Sequence, residues 1–215
     1  NDAWKGIPLA VMDGTFISAM RTGAVTGVGA KYLARHDSRS VAMIGAGVQA
    51  RTQLEALKLV LPELQEVRVY DIRPQAAQRY ASEMSARLGL DVRAVESPEA
   101  AVRDADVVVT VTVADEPIVK DAWMKQGSYF AAVGSYQEEE FAVVLNSDKI
   151  FVDGLEHVIH RGTPVVALLI AQGLLKEDRV SELGAVICGE ISGRESPEER
   201  IFFAPIGMGT EDLCV

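Results

Sequence analysis

Cysteine is nearly absent from the 215 residues: Cys188 and Cys214 are the two there are. They make neither a disulfide framework nor a metal-spaced cluster, so cross-links and a zinc centre drop out as organising devices. Histidine is almost as scarce. His157 and His160 stand three apart behind Asp153 and Glu156, but no third ligand set accompanies them. The pair therefore reads as a helix face, not as a metal site. No run approaches the roughly 18 uninterrupted apolar residues of a membrane span, and no signal peptide opens the chain. Positive charge is short too: 21 Lys and Arg against 31 Asp and Glu leave a net charge of −10. Phosphate backbones need a basic surface, so nucleic acid is not an expected partner. A soluble cytoplasmic protein is the expectation. Apolar residues are plentiful at 48%, enough for a sizeable core and, at this length, one large domain or one and a half.

The most informative stretch is Val41-Ala-Met-Ile-Gly45-Ala-Gly47-Val48-Gln49-Ala50. An apolar run ends in G-x-G-x-x-A, and the residues from Arg51 to Val60 follow with helical spacing, the strand–turn–helix context of a dinucleotide fingerprint. Gly45 permits the tight turn, Gly47 lets a pyrophosphate approach the backbone, and Ala50 keeps helix and strand close. The helix N-terminus offers free N–H groups and partial positive charge. A second apolar run, Val67 to Tyr70, ends in Asp71, an acid placed to accept both hydroxyls of a ribose.

Around this unit the chain reads as follows. Residues 1–12 are an irregular lead into a short strand, and Asp13-Gly14 is a turn. The start at Asn1, in what looks like the middle of a domain, points to part of a longer chain. Thr15 to Arg35 is helical but rich in small residues (Ser18, Ala19, Gly23, Ala24, Gly27, Gly29, Ala30), and glycine costs a helix about 1 kcal/mol relative to alanine. A neighbouring helix or a ligand must therefore approach closely. Arg21 among these small residues is either a solvated arginine or a guanidinium fork for a carboxylate or phosphate. Further strands are expected at Asp91–Val95, Val107–Thr112, Tyr129–Val133 and Ile150–Asp153, with helices at Pro74–Leu88 and from Ser97. The expected fold class is α/β: a six-strand Rossmann-type doubly wound parallel sheet plus an incomplete second α/β domain. Beyond the sheet, 164–173 and 179–188 read as helices, Ser196 to Glu199 as a capping box, 202–207 as an apolar turn, and 210–215 as the start of a helix. The expected division is 1–36 for part of a substrate/dimerisation domain, 37–160 for the Rossmann domain, and 161–215 for a helical return to the former.

With these pieces placed, the chain resembles the ornithine cyclodeaminase/μ-crystallin family. The resemblance runs through Ala10 to Thr15, Met20 to Ala24, Ala30 to Arg35, Ile44 to Ala50, Val152-Asp153, Gly184, and Gly207 through Asp212. It implies a homodimer of two-domain protomers carrying NAD(P)-linked chemistry on amino acids and imines. It also implies roles: Arg21 for the substrate carboxylate, Val48 and Gln49 over the pyrophosphate, Asp71 for the ribose, Thr112 against the nucleotide. Thr22, Gly45, Gly47, Arg73, Val133, Gly134 and Ser135 complete the expected cofactor site, and Ile206 joins Arg21 at the substrate. After the fifth strand the cyclodeaminases carry G-x-D-x-P-G-K, where this chain has Gly134-Ser135-Tyr136-Gln137-Glu138-Glu139-Glu140. Tyr136 stands in the aspartate position and Pro205 in a usual serine position. The family's catalytic lysine belongs to an N-terminal part that this sequence does not contain.

The shared chemistry needs a nicotinamide that exchanges hydride with the carbon bearing nitrogen, and a protein that aligns the two. Tyr136 is the candidate proton donor, its ordinary pKa of about 10 suiting imine reduction better than amine deprotonation; the alternative is that it shapes the pocket. Glu138 to Glu140 are either a replacement carboxylate or a solvated acidic loop. Asp71 would repel a 2′-phosphate and so favours NAD; Arg73 softens that and keeps NADP open. Arg51 either touches the pyrophosphate or faces solvent. His36 reads as hinge, Trp4 and Trp123 as packing. The expected activity is that of an oxidoreductase on the C–N bond of a small amino acid or imine. The alternatives are a μ-crystallin-like nucleotide binder without turnover and a redox-neutral cyclodeaminase.

Overall fold

The computed structural model describes residue 2, residues 4–134 and residues 136–213. Parallel strands β1 (Ser40–Ile44), β2 (Glu66–Tyr70), β3 (Asp91–Ala94), β4 (Val107–Thr110), β5 (Tyr129–Ala132), β6 (Lys149–Val152), β7 (Val180–Glu182) and β8 (Ile201–Ala204) form one sheet, in the order β3-β2-β1-β4-β5-β8-β6-β7. The central strands are continuous runs of Val, Ile, Met, Phe and Ala because both faces are covered. Val41 and Met43 of β1 enter the core on one face, Ala42 and Ile44 the core on the other. Helices α1 (Gly14–Leu33), α2 (Val48–Val60) and α3 (Pro74–Leu88) cover the first face, with α8 (Leu183–Ile187) at its edge. Helices α4 (Pro98–Val102), α5 (Phe141–Leu145), α6 (Leu155–Arg161) and α7 (Val165–Ala171) cover the second. Strand order reverses between β1 and β4, and ligands of doubly wound sheets bind at the carboxyl ends on either side of such a point.

The sheet has eight strands, not six. The 202–207 segment is no turn: β8 runs parallel between β5 and β6, and its Phe202 ring stacks on Phe130 with centroids 5.3 Å apart. Residues 179–188 are not one helix but β7 followed by α8, so the return segment is not purely helical. Glu199 does accept from the amides of Glu195 and Ser196 as a capping box would, yet no helix follows and the chain enters β8. Residues 211–213 form a 3-10 turn; Cys214 and Val215 lie outside the described residues. Asp13 is an N-cap accepting from the Thr15 amide at 2.8 Å, and no strand precedes it among the described residues. Trp4 does not pack; it is 96% exposed.

The glycines of α1 find a neighbouring helix. A Cβ on Gly23 would lie 2.7 Å from the Thr52 carbonyl oxygen, and one on Gly27 3.0 Å from the Ala56 Cβ, so α1 and α2 touch nearly backbone to backbone. This contact carries Arg21 and Thr22 to the edge of the fingerprint turn.

Candidate functional site at the sheet switch point

The turn after β1 is built by contact from three sides. Gly45 has φ +108°, and a Cβ there would meet the Val111 carbonyl oxygen at 2.8 Å, so β4's continuation closes on it. Asp71, at the end of β2, accepts from the Ala46 amide at 2.9 Å with one oxygen and from the Arg73 amide at 2.9 Å with the other. Arg51 sends Nη1 to the carbonyls of Ala46 (3.1 Å) and Gly47 (2.8 Å) and pairs with Glu83 at 2.6 Å. It therefore neither reaches toward a pyrophosphate nor waves in solvent; it braces the turn. Gly47 differs from Gly45, since a Cβ there would meet nothing within 4 Å.

These facts separate two substitutions. Gly45→Ala is expected to cost about 2 kcal/mol or more in backbone strain, a fall in Tm of about 4–8 °C at this chain length. Gly47→Ala is expected to leave thermal melting unchanged and to weaken dinucleotide binding, because its methyl enters only the space a pyrophosphate takes. Melting curves beside nucleotide titrations check both. Equal Tm loss in the two variants would refute the distinction.

Two cavities open side by side at the switch point and share Thr112 and Val113. One, of 410 Å³, is walled by Gly45, Tyr70, Asp71, Ile72 and residues 114–118. The other, of 280 Å³, is walled by Arg21, Thr22 and Val25 of α1, Gln49, Val133, Gly134, Arg161 and Pro205 to Gly207. Of the residues expected at the site, Arg21, Thr22, Gly45, Gln49, Asp71, Thr112, Val133, Gly134 and Ile206 thus converge on one continuous crevice. Val48 and Arg73 are exposed beside it, with the Arg73 Nε 3.5 Å from Asp71 Oδ1. Tyr136 is half exposed and lines neither cavity, and Ser135 lies outside the described residues. The crevice fits a dinucleotide: an open face at Gly47, an acid held on the turn, and a buried, unpartnered Gln49 Oε1 in the second cavity's wall.

Arg21 is not a solvated arginine. Its Nη1 lies 3.3 Å from Glu211 Oε2 and its Nε 3.0 Å from Asp212 Oδ1. Gly207 packs on its guanidinium so closely that a Cβ would sit 1.8 Å from Nη1. Asp153 holds this loop, accepting from the Gly207 amide at 2.6 Å and the Gly154 amide at 2.9 Å. Burial pushes Asp153 above the usual carboxylate range against those bonds. Burial likewise raises Glu211, helped by the Asp153 charge and opposed by the Met208 amide and Arg21.

The acidic run is not a solvated loop. Residues 138–140 pair by backbone with Ile118 and Val119, which draws the Glu138 and Glu139 side chains inside. Glu138 accepts from the Thr112 amide at 2.6 Å and fills the space a Cβ on Gly134 would occupy, tying β4's end to β5's. Glu140 accepts from the Asp121 amide at 3.0 Å. The pairing of 138–140 with the distant 118–119 is what the charge of the run does not reveal. His157 and His160 are exposed on α6.

Sheet order, fingerprint turn and crevice define a Rossmann-type doubly wound protein with a site at the switch point. The chain belongs to the ornithine cyclodeaminase/mu-crystallin family, whose family model matches residues 1–215. An alanine dehydrogenase of Archaeoglobus fulgidus is 40% identical over 219 residues, covering 100% of this chain and 66% of that protein. The structure of Thermococcus litoralis Delta(1)-pyrroline-2-carboxylate reductase with NADH and L-proline superposes with a TM-score of 0.91 at 40% identity, over 99% of this chain and 66% of that one. An archaeal alanine dehydrogenase dimer with bound NAD gives a TM-score of 0.89 at 37% identity, over 97% and 65%. The chain spans about two thirds of the length of these relatives.

Proposed function

We propose that this chain is the dinucleotide-binding part, with a share of the substrate site, of an NAD-dependent oxidoreductase acting on the C–N bond of a small amino acid or imine. One observation carries the reading. Arg21, a guanidinium suited to a carboxylate, lines the same cavity as Gln49, Thr112 and Gly134 of the dinucleotide crevice. Relatives that carry NAD or NADH, one with L-proline beside it, support it. When bound, the nicotinamide supplies or takes the hydride. The chain's own residues bind and orient: Asp71, held by the Ala46 amide, takes the ribose end, Arg21 a carboxylate, Thr22 and Gln49 the polar groups between. On this reading the protein is a cytoplasmic homodimer; 1–36 and 161–215 serve a substrate/dimerisation domain even though β7 and β8 complete the Rossmann sheet, and Ser135 stays a cofactor contact.

Following reduced-nicotinamide absorbance with the full-length protein tests the activity, with amino acids offered beside NAD and oxo acids plus amine, or cyclic imines, beside NADH. A signal with one substrate supports the oxidoreductase. Tight nucleotide binding with silence throughout supports the binder without turnover, which the position of Tyr136 outside both cavities favours. Asp71→Asn is expected to keep the Ala46 bond, to lose the Arg73 amide bond at a small cost in Tm, and to remove the charge. NADH affinity should then fall about tenfold, the low end for a hydrogen bond to a charged group, and NADPH should gain relative to NADH. An unchanged NADH/NADPH ratio would remove Asp71 from the ribose.

A further inference from the structure

The dinucleotide crevice has two halves, and Asp71 assigns one of them. A ribose held at the end of β2 puts the adenylate half in the 410 Å³ cavity, so the nicotinamide half falls on the β4–β5 side, across Thr112 and Val113. That side is the 280 Å³ cavity, walled by Thr112 just beyond β4 and by Val133 and Gly134 just beyond β5. The charged side chains in its lining, Arg21 and Arg161, are cations, and neither attracts a positively charged ring. The wall itself holds the opposite charge. Glu138 is 1% exposed and accepts from the Thr112 amide at 2.6 Å. Its Oε2 lies 1.8 Å from where a Cβ on Gly134 would stand, hence no more than about 3.3 Å from the Gly134 Cα. Both residues it touches line the cavity and the carboxylate does not, so it sits one backbone layer behind that space. Glycine at 134 permits the approach, since any side chain there would displace the carboxylate. Glu139 beside it is buried with no hydrogen-bond partner for its carboxylate. Burial and the Glu138 charge keep a proton on Glu139, which leaves the pair's negative charge on Glu138, the member with an amide to accept from. Burial raises Glu138 as well, against the bonds from Thr112. A charge at this depth is weakly screened and acts across the wall. The oxidised nicotinamide ring is a cation and the reduced ring is neutral, so the ring's redox state is what such a charge distinguishes.

We propose that Glu138 sets the redox preference of the cofactor site: its carboxylate, held behind Thr112 and Gly134, favours NAD+ over NADH. The proposal rests on the reading of the crevice as a dinucleotide site. A site that favours the charged ring makes bound NADH the stronger hydride donor, the sense that suits imine reduction. Glu138 acts through the wall and not by touching the ring, so it is a positioning and specificity-determining residue. A role confined to tying β4's end to β5's would affect the two forms of the nucleotide alike.

Dissociation constants of NAD+ and NADH are measured by calorimetry on the full-length wild type, Glu138→Gln and Glu139→Gln, with melting curves alongside. Glutamine keeps an acceptor for the Thr112 amide and removes the charge. Glu138→Gln is expected to weaken NAD+ about tenfold relative to NADH. That is the effect of a unit charge roughly 7 Å away at an effective dielectric of about 35, between the protein and water values. Glu139→Gln, one residue on and uncharged in the fold, is expected to leave the ratio unchanged. Equal weakening of both nucleotides by Glu138→Gln, or no change in either, overturns the proposal and leaves the dinucleotide site standing. So does a shift in the ratio as large in Glu139→Gln. If Glu138→Gln does not melt cooperatively, the wild type decides: NAD+ bound at least as tightly as NADH supports the charge behind the wall, and a preference for NADH overturns it. A wild type that binds neither nucleotide removes the dinucleotide reading and the proposal with it.

Discussion

Arg21→Met is expected to lower kcat/KM for the preferred substrate by a hundredfold or more, with most of the loss in alignment and little in dinucleotide affinity. Two effects add. Losing a hydrogen bond to a charged group costs about 1.5–3 kcal/mol, and a substrate held by one end fewer spends less time in a reactive pose. Arg21 also neutralises its surroundings: Glu211 and Asp212 pair with it, and Asp153 holds the Gly207 loop beside it. Without the guanidinium, Glu211, already raised by burial, is expected to titrate higher still, so the variant should lose stability relative to the wild type as pH rises above the ordinary glutamate value. Arg21→Lys keeps the charge but not the fork, and should recover pairing and stability more than turnover. Initial rates, fluorescence titration of NADH and melting curves across pH make the separation. If Arg21→Met changes NADH affinity as much as kcat/KM, the residue serves the cofactor and not the substrate.

What the sequence made legible follows the range of the interactions involved. The fingerprint turn, Asp71, helix α3 and the Ser97 cap are local, their signals confined to a few consecutive residues, and each forms where expected. Strand β8 was not legible. Ile201 to Ala204 is four residues followed by proline and glycine, the pattern of an apolar turn, and only pairing with β5 and β6 makes it a strand. The brace of Arg51 on the turn's carbonyls depends on Glu83 from α3, 32 positions away. The tight approach signalled by the α1 glycines was readable as such, but its partner, α2, was not named by composition.

The two buried glutamates show the same point in energetic form and set the second large effect. Glu139 is fully buried with no hydrogen-bond partner for either carboxylate oxygen, and burial, with the neighbouring Glu138 charge, pushes it well above the usual carboxylate range. The folded state therefore keeps a proton that the unfolded chain releases above a pH of about 4.3, the ordinary value for glutamate. Raised pKa in the fold means stability present below that pH and lost as pH climbs toward the folded value, by about 1.4 kcal/mol per pH unit. Glu139→Gln removes the titration and keeps the shape of the protonated acid. It is expected to melt with the wild type near pH 4 and above it at higher pH, the gap widening by about 3–6 °C per pH unit until the folded group ionises. Asp153 and Glu211, also raised, titrate in both proteins and cancel in the difference. Melting curves that stay parallel across pH would mean that Glu139 is ionised in the fold and that a cation, from a partner or a ligand, meets it there.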